Sequence, residues 1–239
     1  MLNKGLGYLE AKSYQEALSC FEKAIEADPL DNEAWNGKGY VLVILGRDGE
    51  ALKCYARAVE IDPSSALSWY NKANALSRLE RYQEAAVCYS RALEHDPLCH
   101  ASWLNRGLAL DALERGEEAQ ECYDAALKIL PGDATTWINK GASLSLLGRY
   151  EQAVECFDRA VLLQAQSLKA WVNRGSAMAH LGRLKEALSC FNRAIEISPR
   201  CPMAWANRSE ILRRMNRHDE AFHAFVRARE LGLVLSSEE

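Results

Sequence analysis

Apolar residues recur in this chain with two superposed periods. Over short stretches they fall three and four positions apart, which places them on one face of an α-helix. Over the whole length the same pattern returns every 34 residues. Ala34-Trp35-Asn36-Gly37-Lys38-Gly39 comes back as Ser68-Trp69-Tyr70-Asn71-Lys72-Ala73 and as Ser102-Trp103-Leu104-Asn105-Arg106-Gly107. The series continues at Trp137, Trp171 and Trp205, so all six tryptophans belong to it. A strict period fixes the architecture before local structure is considered, because one such unit cannot bury its apolar face without a neighbour.

With each Trp numbered as position 4 of its unit, position 8 is small: Gly5, Gly39, Ala73, Gly107, Gly141, Gly175 and Ser209. Positions 20 and 27 are always Ala, and position 24 is always Phe or Tyr. Positions 4, 8 and 11 share one helix face, as do 20, 24 and 27. The spacing therefore predicts two helices per unit, near 32–45 and 48–61 and every 34 residues thereafter. Small residues at 8 and 20 let the two helices approach, and the aromatic rings fill the space around that contact. Gly46, Gly148 and Gly182 fall where the first helix should end in a left-handed residue. Asp28-Pro29, Asp62-Pro63 and Asp96-Pro97 end the second helix, because a residue before Pro avoids the α region. Seven units result: 1–31, truncated at its start, then 32–65, 66–99, 100–133, 134–167, 168–201 and 202–235, with a tail at 236–239.

The pattern W-x2-L-G-x2-Y…A-x3-F…A…P resembles the tetratricopeptide family over about residues 1–235. The basic residue at position 7, from Lys4 to Arg208, departs from that pattern's Leu. The resemblance implies an all-α, right-handed solenoid of antiparallel helix pairs. It also implies a non-catalytic scaffold that receives a peptide or helix in a concave groove. The alternative is the substrate-recruiting arm of a larger enzyme such as a glycosyltransferase. In the family, positions 2, 5, 9 and 12 of the first helix line the groove. That assigns Asn36, Tyr40, Tyr70, Asn74, Leu104, Leu108, Ile138 and Val172 to peptide binding, as an apolar trough with polar insertions. The family's chaperone-tail clamp needs Lys at position 5, where this chain carries apolar, aromatic or Asn residues, so that clamp is not expected.

Position 6 is asparagine in six units: Asn3, Asn71, Asn105, Asn139, Asn173 and Asn207, with Gly37 the exception. Asparagine is a mediocre helix former, so the ladder needs a reason. Its amides can bridge adjacent first helices. A comparable ladder in the tetratricopeptide superhelix of the O-linked N-acetylglucosamine transferase holds an extended peptide by its backbone, a task suited to a group that both donates and accepts. The position-7 cations are expected to lay their stems beside the Trp with the charge reaching water.

Composition narrows the picture further. A net charge of −4 lacks the basic footprint of a nucleic-acid binder. No apolar run approaches the roughly 20 residues of a membrane span, and the N-terminus does not resemble a signal peptide. Eight cysteines without a secretory signal point to reduced thiols and the cytoplasm. Six of them, Cys20, Cys54, Cys88, Cys122, Cys156 and Cys190, share position 23. Their spacing on stacked helices suits packing rather than disulfides or zinc. The cluster His95-Asp96-Pro97-Leu98-Cys99-His100 fits no usual zinc spacing. No acid–base constellation stands out, so neither catalysis nor a cofactor is expected. The last helix carries Phe222, Phe225 and Val226 with only the apolar Leu231–Leu235 stretch to follow. The array is therefore expected to be cut from a longer protein, to self-associate end to end, or to fold that stretch back over its last helix.

Overall fold

A computed structural model describes residues 1–232, and over them the chain forms helices and turns without a strand. The helices come in two compact bodies, Met1–Ile129 and the remainder from Leu130. The first contains α1 (Leu2–Glu10), α2 (Tyr14–Ala27), α3 (Asn32–Ile44), α4 (Asp48–Ile61), α5 (Ala66–Arg78), α6 (Tyr82–His95), α7 (His100–Ala112) and α8 (Gly116–Ile129). The second contains α9 (Ala134–Leu146), α10 (Tyr150–Leu163), α11 (Leu168–His180), α12 (Leu184–Ile197), α13 (Pro202–Arg214) and α14 (His218–Glu230). The expected spans hold to within two residues. The tail at 236–239 and most of the Leu231–Leu235 stretch lie outside the described residues.

Within each body a helix packs against its hairpin partner and against the helix that follows, and the odd-numbered helices also touch their nearest odd-numbered neighbours. The packing follows from residue size. A Cβ on Gly39 would stand 2.6 Å from the Tyr55 ring, and one on Gly141 would stand 2.7 Å from the Phe157 ring. Glycine at position 8 thus lets the position-24 aromatic lie flat on the backbone of the first helix. Tyr123, Phe21, Phe157 and Phe191 are fully buried in this way, and Tyr89 is as deeply buried in the unit where Ala73 takes the glycine's place.

The turns are as regular as the helices. One residue in each hairpin turn takes the left-handed conformation: Lys12, Gly46, Glu80, Glu114, Gly148, Gly182 and Asn216, with φ from 56° to 74°. The next residue donates back across the helix end, as Arg47 N does to Leu42 O at 2.8 Å and Arg115 N to Leu110 O at 2.9 Å. These bonds satisfy carbonyls that would otherwise lack a partner. Between hairpins, Asp31, Ser65, Asp133 and Ser167 cap the next first helix with their side chains. Cys99 and Cys201 hold the same place without such a bond.

The tryptophans also fix these turns. Each indole Nε1 donates to a backbone carbonyl six residues earlier, at 2.8–3.0 Å: Pro29, Pro63, Pro97, Pro131, Ala165 and Pro199. Ala165 serves as well as Pro, because the acceptor is the main chain. Five of the position-7 cations, Lys72, Arg106, Lys140, Arg174 and Arg208, lie over these rings rather than merely beside them. Lys72 Nζ is 5.2 Å from the Trp69 ring centre, and Arg174 Cζ is 5.7 Å from that of Trp171. An indole face attracts a cation at such distances.

Candidate functional site

Each body exposes a face made by its first helices, and the expected groove residues differ in what that face does with them. In the N-terminal body Tyr40 and Leu108 stand open to solvent, 53% and 42% exposed. Tyr70, Asn74 and Leu104 are half-buried. In the C-terminal body Val172 is half-buried. Two of the expected groove residues are buried. Ile138 is only 5% exposed, because it packs among Ala160, Ala170 and Trp137. Asn36 is 8% exposed and works inside the fold. Its amide donates to Ser68 Oγ at 2.8 Å and accepts from Asn71 Nδ2 at 3.1 Å. It thereby replaces the ladder amide missing at position 37. A Cβ on Gly37 would be 2.5 Å from the Phe21 ring, so that position has no room for asparagine.

The ladder divides between the two bodies. In the N-terminal body its amides bridge first helices, as Asn71 does to Asn36. Asn105 Nδ2 donates to Asn74 Oδ1 at 3.2 Å and to the Tyr70 hydroxyl at 3.3 Å. Asn74 Oδ1 also accepts from the buried Tyr89 hydroxyl at 2.6 Å. Burial pushes that phenol up to about 12, so Tyr89 remains a donor throughout the physiological range. One repeat later Tyr123 donates to Asp111 Oδ2 at 2.6 Å, and burial again raises its pKa. The floor of this face is therefore a built hydrogen-bond network.

In the C-terminal body the equivalent floor residues are Phe157, Phe191 and Phe225, which carry no hydroxyl. Asn139 is buried and accepts from Lys169 Nζ at 3.3 Å. Asn173 and Asn207 make no hydrogen bond among the described residues. Their neighbours in the preceding first helix explain this. Where Asn105 meets Tyr70 and Asn74, Asn173 faces the register positions of Ile138 and Ala142.

Small residues at Ala142, Ser145 and Ser176 leave a pocket of about 510 Å³ here, with Asn173 in its wall and Phe157 in its floor. Tyr150 and His180 stack flat at its edge, 4.4 Å apart and 1° from parallel. The same two register positions carry the ion pair Asp48–Arg78 in the N-terminal body. Leu146, 82% exposed, completes the rim. The stack and this pocket were not anticipated from the sequence. The run of small residues at groove positions was the available signal.

The remaining candidate chemistry is structural. All eight thiols are free, and the six at position 23 are buried. Burial raises the Cys122 thiol to about 11 although Arg106 approaches it, so it stays neutral. Among the described residues no group of His, Cys, Asp or Glu is placed to hold a metal ion. No described helix is long and apolar enough to cross a membrane.

Sequence and fold comparisons agree on the family. Tetratricopeptide-repeat profiles match residues 2–66 and 70–134, and a second matches residues 147–217. The chain belongs to the tetratricopeptide-repeat family. Among solved structures it is similar to YrrB, described as a tetratricopeptide protein with an unusual peptide-binding site. That match has 25% identity and a TM-score of 0.67, covering 77% of this chain and 95% of YrrB. A tetratricopeptide repeat protein from Parabacteroides merdae shares the fold at 16% identity and a TM-score of 0.74, covering 97% of this chain and 92% of its own. The pilF protein of Pseudomonas aeruginosa does so at 19% and 0.70, covering 84% and 91%. No curated protein matches the sequence. The fold is that of a protein–protein interaction scaffold.

Proposed function

We propose that the chain is a non-catalytic, cytoplasmic scaffold that binds an extended peptide along the first-helix face of its C-terminal body. The observation that carries this reading is the division of the ladder. Asn71 and Asn105 are engaged inside the fold, whereas Asn173 and Asn207 are not, and Asn173 lines an open pocket. An unengaged primary amide can donate to a peptide carbonyl and accept from a peptide N–H at once. The pocket beside it accepts a side chain between Ala142, Leu146 and the Tyr150–His180 stack, and Val172 belongs to the same proposed face. Tyr40, Tyr70, Leu104 and Leu108 present the corresponding face of the N-terminal body to apolar side chains. The peptide-binding site described for YrrB supports the class of ligand. The eight free thiols suit a reducing compartment, and the net charge of −4 favours protein over nucleic acid as partner.

The test is selection of peptides on the immobilised full chain, followed by titration against variants. Asn173→Ala and Asn207→Ala should each weaken binding about tenfold, the worth of one or two net hydrogen bonds, with thermal stability unchanged. Asn105→Ala should lower stability instead, because it removes the donor to Tyr70 and one of the two donors to Asn74. Retention of full affinity by Asn173→Ala would refute this placement of the site.

We also propose end-to-end self-association through α14, where Phe222 is 64% and Val226 36% exposed. Sedimentation over roughly a hundredfold range of concentration should show a mass that rises with concentration and falls back with Phe222→Lys. A single-chain mass throughout would refute it.

A further inference from the structure

A second site lies off the peptide face, between α4, α5 and α6 of the N-terminal body. It is visible by comparing one contact across the repeats. The position-7 cation of a first helix meets the residue 16 places earlier, on the second helix of the preceding hairpin. Lys38 pairs there with Glu22 at 3.1 Å, and Arg174 with Asp158 at 2.5 Å. Arg208 meets the Asn192 amide oxygen at 2.8 Å. For Lys72 the corresponding residue is Ala56. Lys72 has no carboxylate partner among the described residues, and only the Trp69 ring lies under its ammonium group, at 5.2 Å.

The missing side chain leaves space. Ala56 and Lys72 line a pocket of about 460 Å³ whose other walls include Leu52, Trp69 and Val87. Val87 is 54% exposed. Arg81 and Glu84 at its mouth hold each other through two 2.7 Å bonds, and Glu84 acts on Lys72 only as a nearby charge without pairing with it. Cys88 in the wall is kept neutral by burial. Arg106 is the informative contrast. Its position-25 neighbour is Ser90, whose hydroxyl is held by Ala86 O, and Arg106 Nε is buried without a partner. At Lys72, by contrast, a pocket opens beside the cation.

We propose that this pocket binds a carboxylate carried on an apolar body. The carboxylate takes on Lys72 the place that Glu22 and Asp158 occupy elsewhere, and the apolar part lies on Leu52, Trp69 and Val87. The opposite charge supplies orientation, and the half-enclosed apolar walls strengthen the ion pair relative to open water. The same chemistry can arrive as a free carboxylic acid or as the C-terminal carboxylate of a polypeptide.

Titrations of the full chain followed by ¹H–¹⁵N spectra distinguish these. The probes are 4-phenylbutyrate with its uncharged alcohol, and an acetylated peptide ending in Leu-Phe with a free carboxylate, together with its C-terminal amide. At least one acid should shift the Leu52, Ala56 and Val87 amides and bind about tenfold more tightly than its uncharged twin, the worth of one charge-assisted bond. Whichever acid does so names the source. Lys72→Met retains the stem over Trp69 and should abolish the preference. Ala56→Glu supplies the absent carboxylate internally and should block binding with helicity and thermal stability intact, and Lys72→Arg should retain binding. Equal affinity for acid and uncharged twin, shifts confined to other residues, or undiminished binding by Ala56→Glu would overturn the proposal.

Discussion

At the scale of single residues, the hairpin turn shows how a backbone requirement persists when the suitable residue does not. All seven turns place one residue in the left-handed region, but only Gly46, Gly148 and Gly182 adopt it without a Cβ penalty. Lys12, Glu80, Glu114 and Asn216 hold φ between 56° and 59° because the helix-end hydrogen bonds demand it. Glu114 is exposed and makes no ion pair among the described residues, so its side chain offsets little of that strain. Glu114→Gly should therefore raise stability by about 0.5–1 kcal/mol, the left-handed penalty less the extra chain freedom of glycine when unfolded. Gly148→Ala should lower it by a similar amount. Urea unfolding measures both, and a fall in midpoint for Glu114→Gly would contradict the strain.

At the scale of elements, helix identity was legible and partner choice was not. Position 8, position 20 and the aromatic at 24 follow from spacing and size, and each helix formed where they placed it. Ile138 shows the limit. Its register assigned it to the groove, yet a 34-residue pattern does not resolve how far a helix is rotated, and the small Ala160 and Ala170 admitted its side chain to the interior. The asparagine ladder shows another. Identical residues at position 6 looked equivalent, but each amide's fate depends on what the preceding helix offers. Tyr70 and Asn74 engage Asn105, whereas alanine and isoleucine leave Asn173 open. That dependence is pairwise and 31 to 35 residues long, so it emerges only once neighbouring helices are placed. The Lys72 pocket is legible in retrospect, since Ala56 stands in a column that carries Glu22, Ser90, Asp124, Asp158 and Asn192 in the neighbouring units.

At the scale of the whole molecule, stability is local. Helices within each body touch only near neighbours in sequence, so disruption should spread as in a one-dimensional array. Leu212 is fully buried in the cluster that runs from α9 to α14. Leu212→Ala should cost about 2–5 kcal/mol, the usual range for a buried leucine. Hydrogen exchange of the full chain should show that loss in α11 to α14, with α1 to α6 keeping wild-type protection. A uniform loosening of all fourteen helices would mean that the chain unfolds as one cooperative block.

The tryptophan hydrogen bonds give such locality a built-in readout. Each indole proton is held by the carbonyl of one inter-hairpin turn and is released only when that turn opens. Its resonance lies apart from the crowded main-chain region of a helical spectrum. The chain thus carries six intrinsic clocks spaced along its length. Their separate solvent-exchange rates would time the opening of each junction without any label being introduced.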